Sequence, residues 1–528
     1  MNYFRYVSAL VLILSVECFS QNYPPDVRDV KIGKTNLPIV FINTLGHEMN
    51  REDRVSALMK IVSNPDGVNY DDTIAHPNQI ADYEGYVGIK YRGNSSFEDQ
   101  KKKPYSFKLL TDSYENGGKK RKKALLGMGK DDDWCLLSPY NDRSLIRNVL
   151  TFTLAQGYSE FVPKIRLCEV IIDGLYYGVF QLSEKVSRGD DRLNIKKPGD
   201  SGDELTGGYV IEKDRDDEPI YHTSKYFPTN SDGEELHFTT DFNGNVLQTH
   251  PPIFIQYKEP DWEEITEIQR EWIDKRFDDF EDALASDNFK DTENGYRKYV
   301  DVISFIDYQI ATEVSNNIDG YRLSCFLYKY RDSVDPRFKM TLWDFDNAWA
   351  ISSWPETAYW TNAWTFKNND WKNGWMGNHL LSFWFNKLMQ DPSYVEELKN
   401  RYAECRQGRY ADICGVIDSL TNELTAMGAS DRDFKAWPRW GKLYSNLLSP
   451  ESYEEEINYI KNWVNGRIAW LDEQLGYNAT LIRTNGIGKD STIEGVYSVN
   501  GVERKGLQKG FNIIKRSDGS VYKTIKSR

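Results

Sequence analysis

Three polar clusters in this sequence carry more functional groups than their apolar surroundings require. Arg92, Gly93, Asn94, Ser95 and Ser96 fall between two alternating apolar segments, and Lys108 lies inside the second of them. Glycine and hydroxyl residues at a turn leave backbone N–H groups free to hold phosphate oxygens, and a lysine on the adjoining strand adds a mobile positive charge. Asn316, Asn317, Asp319, Tyr321, Arg322 and Ser324 form a second cluster between a helical and a strand-like stretch. The third, Trp343, Asp344, Phe345, Asp346 and Asn347, follows an apolar strand directly and offers two carboxylates to a hard cation. Each cluster also has a purely structural reading as turn and cap chemistry.

The elements that must position these groups are legible as periodicities. Val87, Ile89 and Tyr91 share one face of a strand, and Tyr105, Phe107 and Leu109 share one face of the next, which predicts a hairpin with its tip at 92–96. Asn141, Asp142, Arg143 and Ser144 supply cap chemistry for a helix carrying Leu145, Val149, Phe152 and Leu154. Asp173-Gly174 marks a second hairpin within 168–182, and Gly207-Gly208 introduces a strand at 209–212. Residues 214–260 are polar and read as an insertion or long loop. Helices are expected at 261–286, with Ile265, Ile268, Trp272 and Leu284 as the apolar stripe, at 299–314, and through most of 392–475. The fold class is α+β.

Composition narrows the function. A formal net charge of −14 argues against a nucleic-acid partner, and the basic run 119–123 reads as a solvated loop. A short basic start, a ten-residue apolar run at 7–16 and small residues near 20 describe a cleaved signal peptide, so residues 1–20 are set apart and the protein is expected outside the cytoplasm, with no transmembrane span. Beyond that leader, Cys135, Cys168, Cys325, Cys405 and Cys414 match no CxxC pattern; the one plausible bridge is Cys405 with Cys414. The six histidines form no HExxH pair, which argues against a zinc hydrolase.

Taken in chain order, a Gly/Ser turn, a strand lysine, a helix, a hairpin, an aspartate in a loop and an Asp-Phe-Asp element reproduce the arrangement that phosphoryl transfer requires in protein kinases. The stretches RGNSS (92–96), KKPYSFKL (102–109), DRSLIRN (142–148), GVFQLSEKV (178–186), GGYVIE (207–212) and WDFDNAW (343–349) resemble the successive blocks of the CotH family of atypical protein kinases. The resemblance implies a reduced kinase-like fold that binds ATP with Mg²⁺ or Mn²⁺ and phosphorylates serine on a protein substrate at the cell surface or in the periplasm. It implies Asp319 as the catalytic aspartate, Asp344 as the metal-binding aspartate with Asp346 in support, and residues 92–96 over the nucleotide phosphates. Lys108 is the phosphate lysine by this reading, with Lys103 as its rival, and Glu184 or Glu212 marks the hinge near the adenine. Ser324 stands where a kinase normally supplies a metal-binding asparagine, with Asn317 as a substitute, and no helix glutamate is evident to pair with the lysine.

The domain organisation expected is an N-terminal segment at 21–84, a kinase-like domain at 85–390, a helical extension at 391–480 and a small β tail at 485–528 that resembles C-terminal sorting or anchoring segments. A second reading stays open: eight of the fifteen tryptophans fall between Trp343 and Trp384, and exposed rings would make a polysaccharide-binding surface or a non-catalytic scaffold.

Overall fold

The computed structural model describes residues 24–26, 29–230, 232–240, 246–249, 251–351, 359–368, 380–441, 450–478, 493–497, 503–504, 510–516 and 521–526. The hairpin expected from alternation pairs Val87 with Leu109, Ile89 with Phe107 and Tyr91 with Tyr105, and all six side chains are buried. It forms part of a closed barrel of seven strands: β1 (Ile39–Asn43), β2 (Val55–Val62), β3 (Ala81–Tyr91), β4 (Tyr105–Leu109), β5 (Asp133–Leu137), β6 (Ile165–Ile172) and β7 (Leu175–Glu184). Their order is β1-β2-β3-β4-β5-β7-β6, and β6 closes the ring by pairing parallel with β1. Closure leaves no free edge for another chain to add to. Asp173 and Gly174 join β6 to β7 with left-handed φ of 49° and 79°, as a two-residue hairpin turn requires.

A second, five-stranded sheet contains β8 (Tyr209–Asp214), β9 (Tyr221–Thr223), β10 (Phe254–Glu259), β11 (Cys325–Lys329) and β12 (Phe338–Thr341) in the order β9-β10-β8-β11-β12. Residues 214–260 are therefore not one long loop. β10, built on the apolar run Ile253, Phe254, Ile255 and Tyr257, lies directly beside β8, and the short strands Phe238–Thr240 and Val246–Thr249 pair with each other. Six apolar-rich residues embedded in a long polar stretch gave no periodic signal over a helical or strand window.

Among the described residues the α-helices of eight residues or more are α1 (Arg147–Ala155), α2 (Glu267–Ala285), α3 (Val302–Ser315), α4 (Pro392–Gln407), α5 (Ile413–Thr425), α6 (Ala429–Ala436) and α7 (Tyr453–Gln474). A reciprocal Thr266–Gln269 capping box starts α2, Asp301 caps α3, and Asp391 caps α4 ahead of Pro392. The buried stripe of α2 is Ile273, Phe277, Phe280 and Leu284; Ile268, expected in the stripe, is 51 % exposed.

Helix α6 docks on β7 through a buried charge network. Lys102 Nζ lies 2.6 Å from Asp433 Oδ1, the Val179 amide donates to the same oxygen, and Arg439 reaches Asp433 Oδ2 at 2.7 Å. Gly178 permits the approach: a Cβ there would stand 2.2 Å from Asp433 Oδ1, and its φ is +100°. Asp433→Ala leaves Lys102 and Arg439 buried without their counter-charge and is expected to cost about 3–5 kcal/mol of stability. Urea unfolding measures this; a loss below about 1 kcal/mol would contradict the role given to this network.

Residues 1–471 form one compact unit, so the barrel, the second sheet and the helices as far as Leu471 belong together. Residues 472–528 form a second unit with a four-stranded antiparallel sheet of Ile493–Tyr497, Glu503–Arg504, Gly510–Arg516 and Val521–Lys526. Residues 1–20 lie outside the described residues. No described helix is long and apolar enough to cross a membrane. All five described cysteines are free thiols, so the Cys405–Cys414 bridge is not formed.

Candidate functional site

Two loops meet where α3 ends and where β12 ends. Helix α3 stops at Asn316, whose left-handed backbone (φ 47°) turns the chain towards Asp319. Tyr321 and Ser324 in the same loop, and Asp344, Trp349 and Ala350 in the other, also have left-handed φ. Six of the ten described non-glycine residues in this conformation thus lie between 316 and 350. Such strain persists only where surrounding structure over-determines it, and it concentrates at functional sites.

The over-determination is visible in the hydrogen bonds that staple the loops together. Asn317 Nδ2 donates to the Asp344 carbonyl at 3.1 Å, and Asn347 Nδ2 donates to Asp319 Oδ2 at 2.6 Å. The Ile318 amide donates to the Asn347 carbonyl and the Trp349 amide to the Ser315 carbonyl. From α1, Asn148 Oδ1 accepts from the Phe345 amide at 2.6 Å, and Phe345 packs edge-on to Phe152. Asp319, Asp344 and Asp346 consequently lie close enough for each to act on the charge of the others. Asp344 opens to solvent, while Asp319 and Asp346 are half-buried.

Burial and mutual repulsion dominate the electrostatics of the site. Protein crowding around the site strips solvation from Asp344 and pushes its pKa up; Arg92 opposes this, and Asp319 and Asp214 add to it. Asp346 is raised well above the carboxylate range by burial first, then by Asp344 and Asp319. Asp319 is raised by burial as well, against the Asn347 hydrogen bond and the charges of Arg215 and Arg322. Three carboxylates this close disfavour one another's ionisation, and a cation among them would relieve it.

Of the other residues singled out by sequence, the 92–96 loop does reach the site. Arg92 lies over the Trp343 ring at 5.6 Å, and Asn94 donates to Asp217 Oδ2 at 3.0 Å. Gly93 has φ of +89°, and a Cβ there would stand 2.1 Å from Ser96 Oγ. Ser95 and Ser96 open a single helical turn at Ser95–Glu98. Ser324 is partly exposed at the start of β11, and Asn317 is committed to bracing the loops.

Four expected residues are placed elsewhere or otherwise engaged. Lys108 stands on the outer face of the barrel, 3.7 Å from Asp133, with Lys120, Arg54 and Lys185 as its other charged neighbours. Lys103 turns to the Phe97 carbonyl and ring. Glu184 is locked in place: its oxygens accept from the Gly129 and Lys164 amides and from Arg192 at 2.9 Å. Glu212 is buried on β8 in an ion pair with Lys258 at 3.1 Å. Sequence reading missed Lys258, Asp214 and Arg215, all three of which lie in the 214–260 segment read as loop; Asp214 and Arg215 follow the GGYVIE stretch by two and three residues.

Two aspartate-bearing loops, hydrogen-bonded to each other, thus stand within a mixed helix-and-sheet unit. Residues 89–471 match the family model described as CotH kinase protein, which covers most of the chain, and the protein belongs to the CotH kinase family. The matched region includes helices α4 to α6 and most of α7. No curated protein matches the chain.

Proposed function

We propose that this protein is an exported atypical protein kinase that transfers phosphate from ATP to a serine of a protein substrate at the cell surface or in the periplasm, with a reduced kinase-like arrangement of its site. The observation that carries this reading is the pairing of the Asp319 and Asp344 loops, braced from both sides by Asn347 and Asn317. Among the described residues no three His, Cys, Asp or Glu side chains form a preformed metal cage. Magnesium ordinarily takes one or two carboxylates together with phosphate oxygens and water, and Asp344 with Asp346 fits that donor set. Mg²⁺ or Mn²⁺ held there would neutralise charge on the phosphates.

Asp319, with Asn347 fixing one oxygen, accepts the proton of the attacking serine hydroxyl; its raised pKa makes it a better base than an ordinary aspartate. Arg92 and the amides of the 92–96 loop orient the phosphates from the barrel side. The main competing reading, a polysaccharide-binding surface, needs exposed rings. Trp343, Trp349 and Trp384 are buried, which supports a pocket wall instead, while Trp360 is 42 % exposed; Trp354, Trp371 and Trp375 lie outside the described residues.

The test is a thermal-shift titration with ATP in the presence and absence of Mg²⁺ or Mn²⁺. A metal-dependent rise in melting temperature is expected, and its absence with either metal counts against the reading. The same titration carries a pH prediction. Protons compete with metal for Asp344 and Asp346, whose pKa values are raised, so metal-nucleotide affinity falls as pH falls, starting well above the ordinary aspartate value of about 3.9. An affinity that holds constant down to pH of about 4.5 would contradict it.

A further inference from the structure

The sheet of β8, β10 and β11 borders the two aspartate loops, and its polar face has no role in the account so far. Glu212 on β8 stands directly opposite Gln256 on β10 and Phe326 on β11. The Phe326 ring meets Trp343 edge-on at 6.4 Å, and Trp343 in turn lies under Arg92 and immediately precedes Asp344. The face of β8 that carries Glu212 and Asp214 therefore borders the same space as the aspartates. Lys213, between them, takes the opposite side, where it donates to the Arg322 and Leu380 carbonyls.

Lys258 on β10 is anchored on this face. Its ammonium lies 3.1 Å from Glu212 Oε2 and 3.5 Å from Glu218 Oε1, and its side chain keeps 27 % exposure. The two carboxylates differ: Glu212 is only 6 % exposed, whereas Glu218 is 28 % exposed. Glu218 belongs to the segment that also carries Asp217, which accepts both from Gln256 and from Asn94 of the 92–96 loop. A lysine held by one buried and one accessible carboxylate, in a segment tied to the 92–96 loop through Asp217, is arranged to exchange its accessible partner for another anion.

We propose that Lys258 is the lysine that contacts the nucleotide phosphates, that buried Glu212 positions it, and that Glu218 occupies the phosphate position until the nucleotide arrives. This rests on the kinase reading above and replaces Lys108 in that role. Burial, and Asp214 next to it, hold the Glu212 pKa well above the usual range while Lys258 opposes them, so the acid depends on the lysine for its charge. The pair also supplies the acid–lysine partnership for which the sequence offered no helix glutamate.

The experiment compares the full chain with Lys258→Met, Lys258→Arg, Glu212→Gln, Glu218→Gln and Lys108→Met. It reads equilibrium binding of a fluorescent ATP analogue with Mg²⁺, binding of adenosine, and phosphate transfer. Lys258→Met is expected to weaken binding of the ATP analogue by about tenfold or more, the size of one charge-assisted hydrogen bond, and to leave adenosine binding within about twofold. Lys258→Arg should recover part of the loss, Glu212→Gln should lower transfer more than binding, and Glu218→Gln should strengthen binding by freeing the lysine. Lys108→Met should match the wild type. Because Lys258→Met strands a buried acid, the double variant Lys258→Met with Glu212→Gln is measured beside it and should show the same selective loss in a folded protein. ATP-analogue binding by the folded double variant within about twofold of wild type overturns the assignment and leaves the kinase reading standing. A wild type that neither binds nor transfers overturns both.

Discussion

Asp319→Ala is expected to lower phosphate transfer by about 10²–10⁴-fold, the range for loss of a positioned proton acceptor, while the affinity for metal-bound ATP stays close to wild type. The division follows from where the group sits. Asp319 is oriented by the Asn347 amide at 2.6 Å and lies in the loop after α3, whereas the carboxylates proposed to take metal, Asp344 and Asp346, lie in the loop after β12. Asp344→Ala should therefore behave differently and lose metal-dependent nucleotide binding together with transfer. Single-turnover transfer and equilibrium binding on the same preparations separate the two effects. If Asp319→Ala abolished binding as completely as Asp344→Ala, the separate roles assigned to the two loops would be wrong.

Arg147→Met is expected to destabilise the protein by about 3–5 kcal/mol, the cost of stranding buried charges. Arg147 is 1 % exposed, and it pairs with Asp142 at 2.5 Å and with Glu456 of α7 at 2.8 Å. Its Nε donates to the Ala348 carbonyl at 2.9 Å, and a further bond reaches the Trp349 carbonyl. Removing it unpairs two buried acids and releases the backbone just beyond Asp346, so transfer should fall with stability. A second arginine makes the matching connection on the other loop: Arg467 of α7 pairs with Glu313 at 3.0 Å, and Glu313 accepts from Tyr321. Helix α7 thus braces both aspartate loops, which gives a physical reason for the family match to run to residue 471. Urea unfolding of Arg147→Met with a stability loss under about 1 kcal/mol would contradict this account.

What could be read from sequence followed the range of the interactions involved. The Val87–Tyr91 and Tyr105–Leu109 alternation gave the hairpin because strand pairing across a short turn is local, and Asp173-Gly174 gave the next one for the same reason. Barrel closure depends on β1 pairing parallel with β6, about 130 residues away, and no local pattern encodes that. Lys108 follows a local rule: the period of two that buries Phe107 and Leu109 turns Lys108 outward. Lys258 was invisible because its strand is short and set in polar chain, so its pairing with β8 decides its structure more than its own composition does. The aspartates were legible because Asp-Phe-Asp-Asn after an apolar strand is locally unusual; the amide staple from Asn347 to Asp319 was not, since it joins loops 28 residues apart.

The most direct measurement is transfer of labelled γ-phosphate from ATP to serine, by the full chain with Mg²⁺ or Mn²⁺, on itself and on a general protein acceptor, beside the Asp319→Ala and Asp344→Ala variants. Metal-dependent incorporation that both substitutions abolish is the predicted result. Incorporation that survives both substitutions, or none from a wild type that also shows no nucleotide-induced thermal shift, would contradict the assignment of this site to phosphoryl transfer.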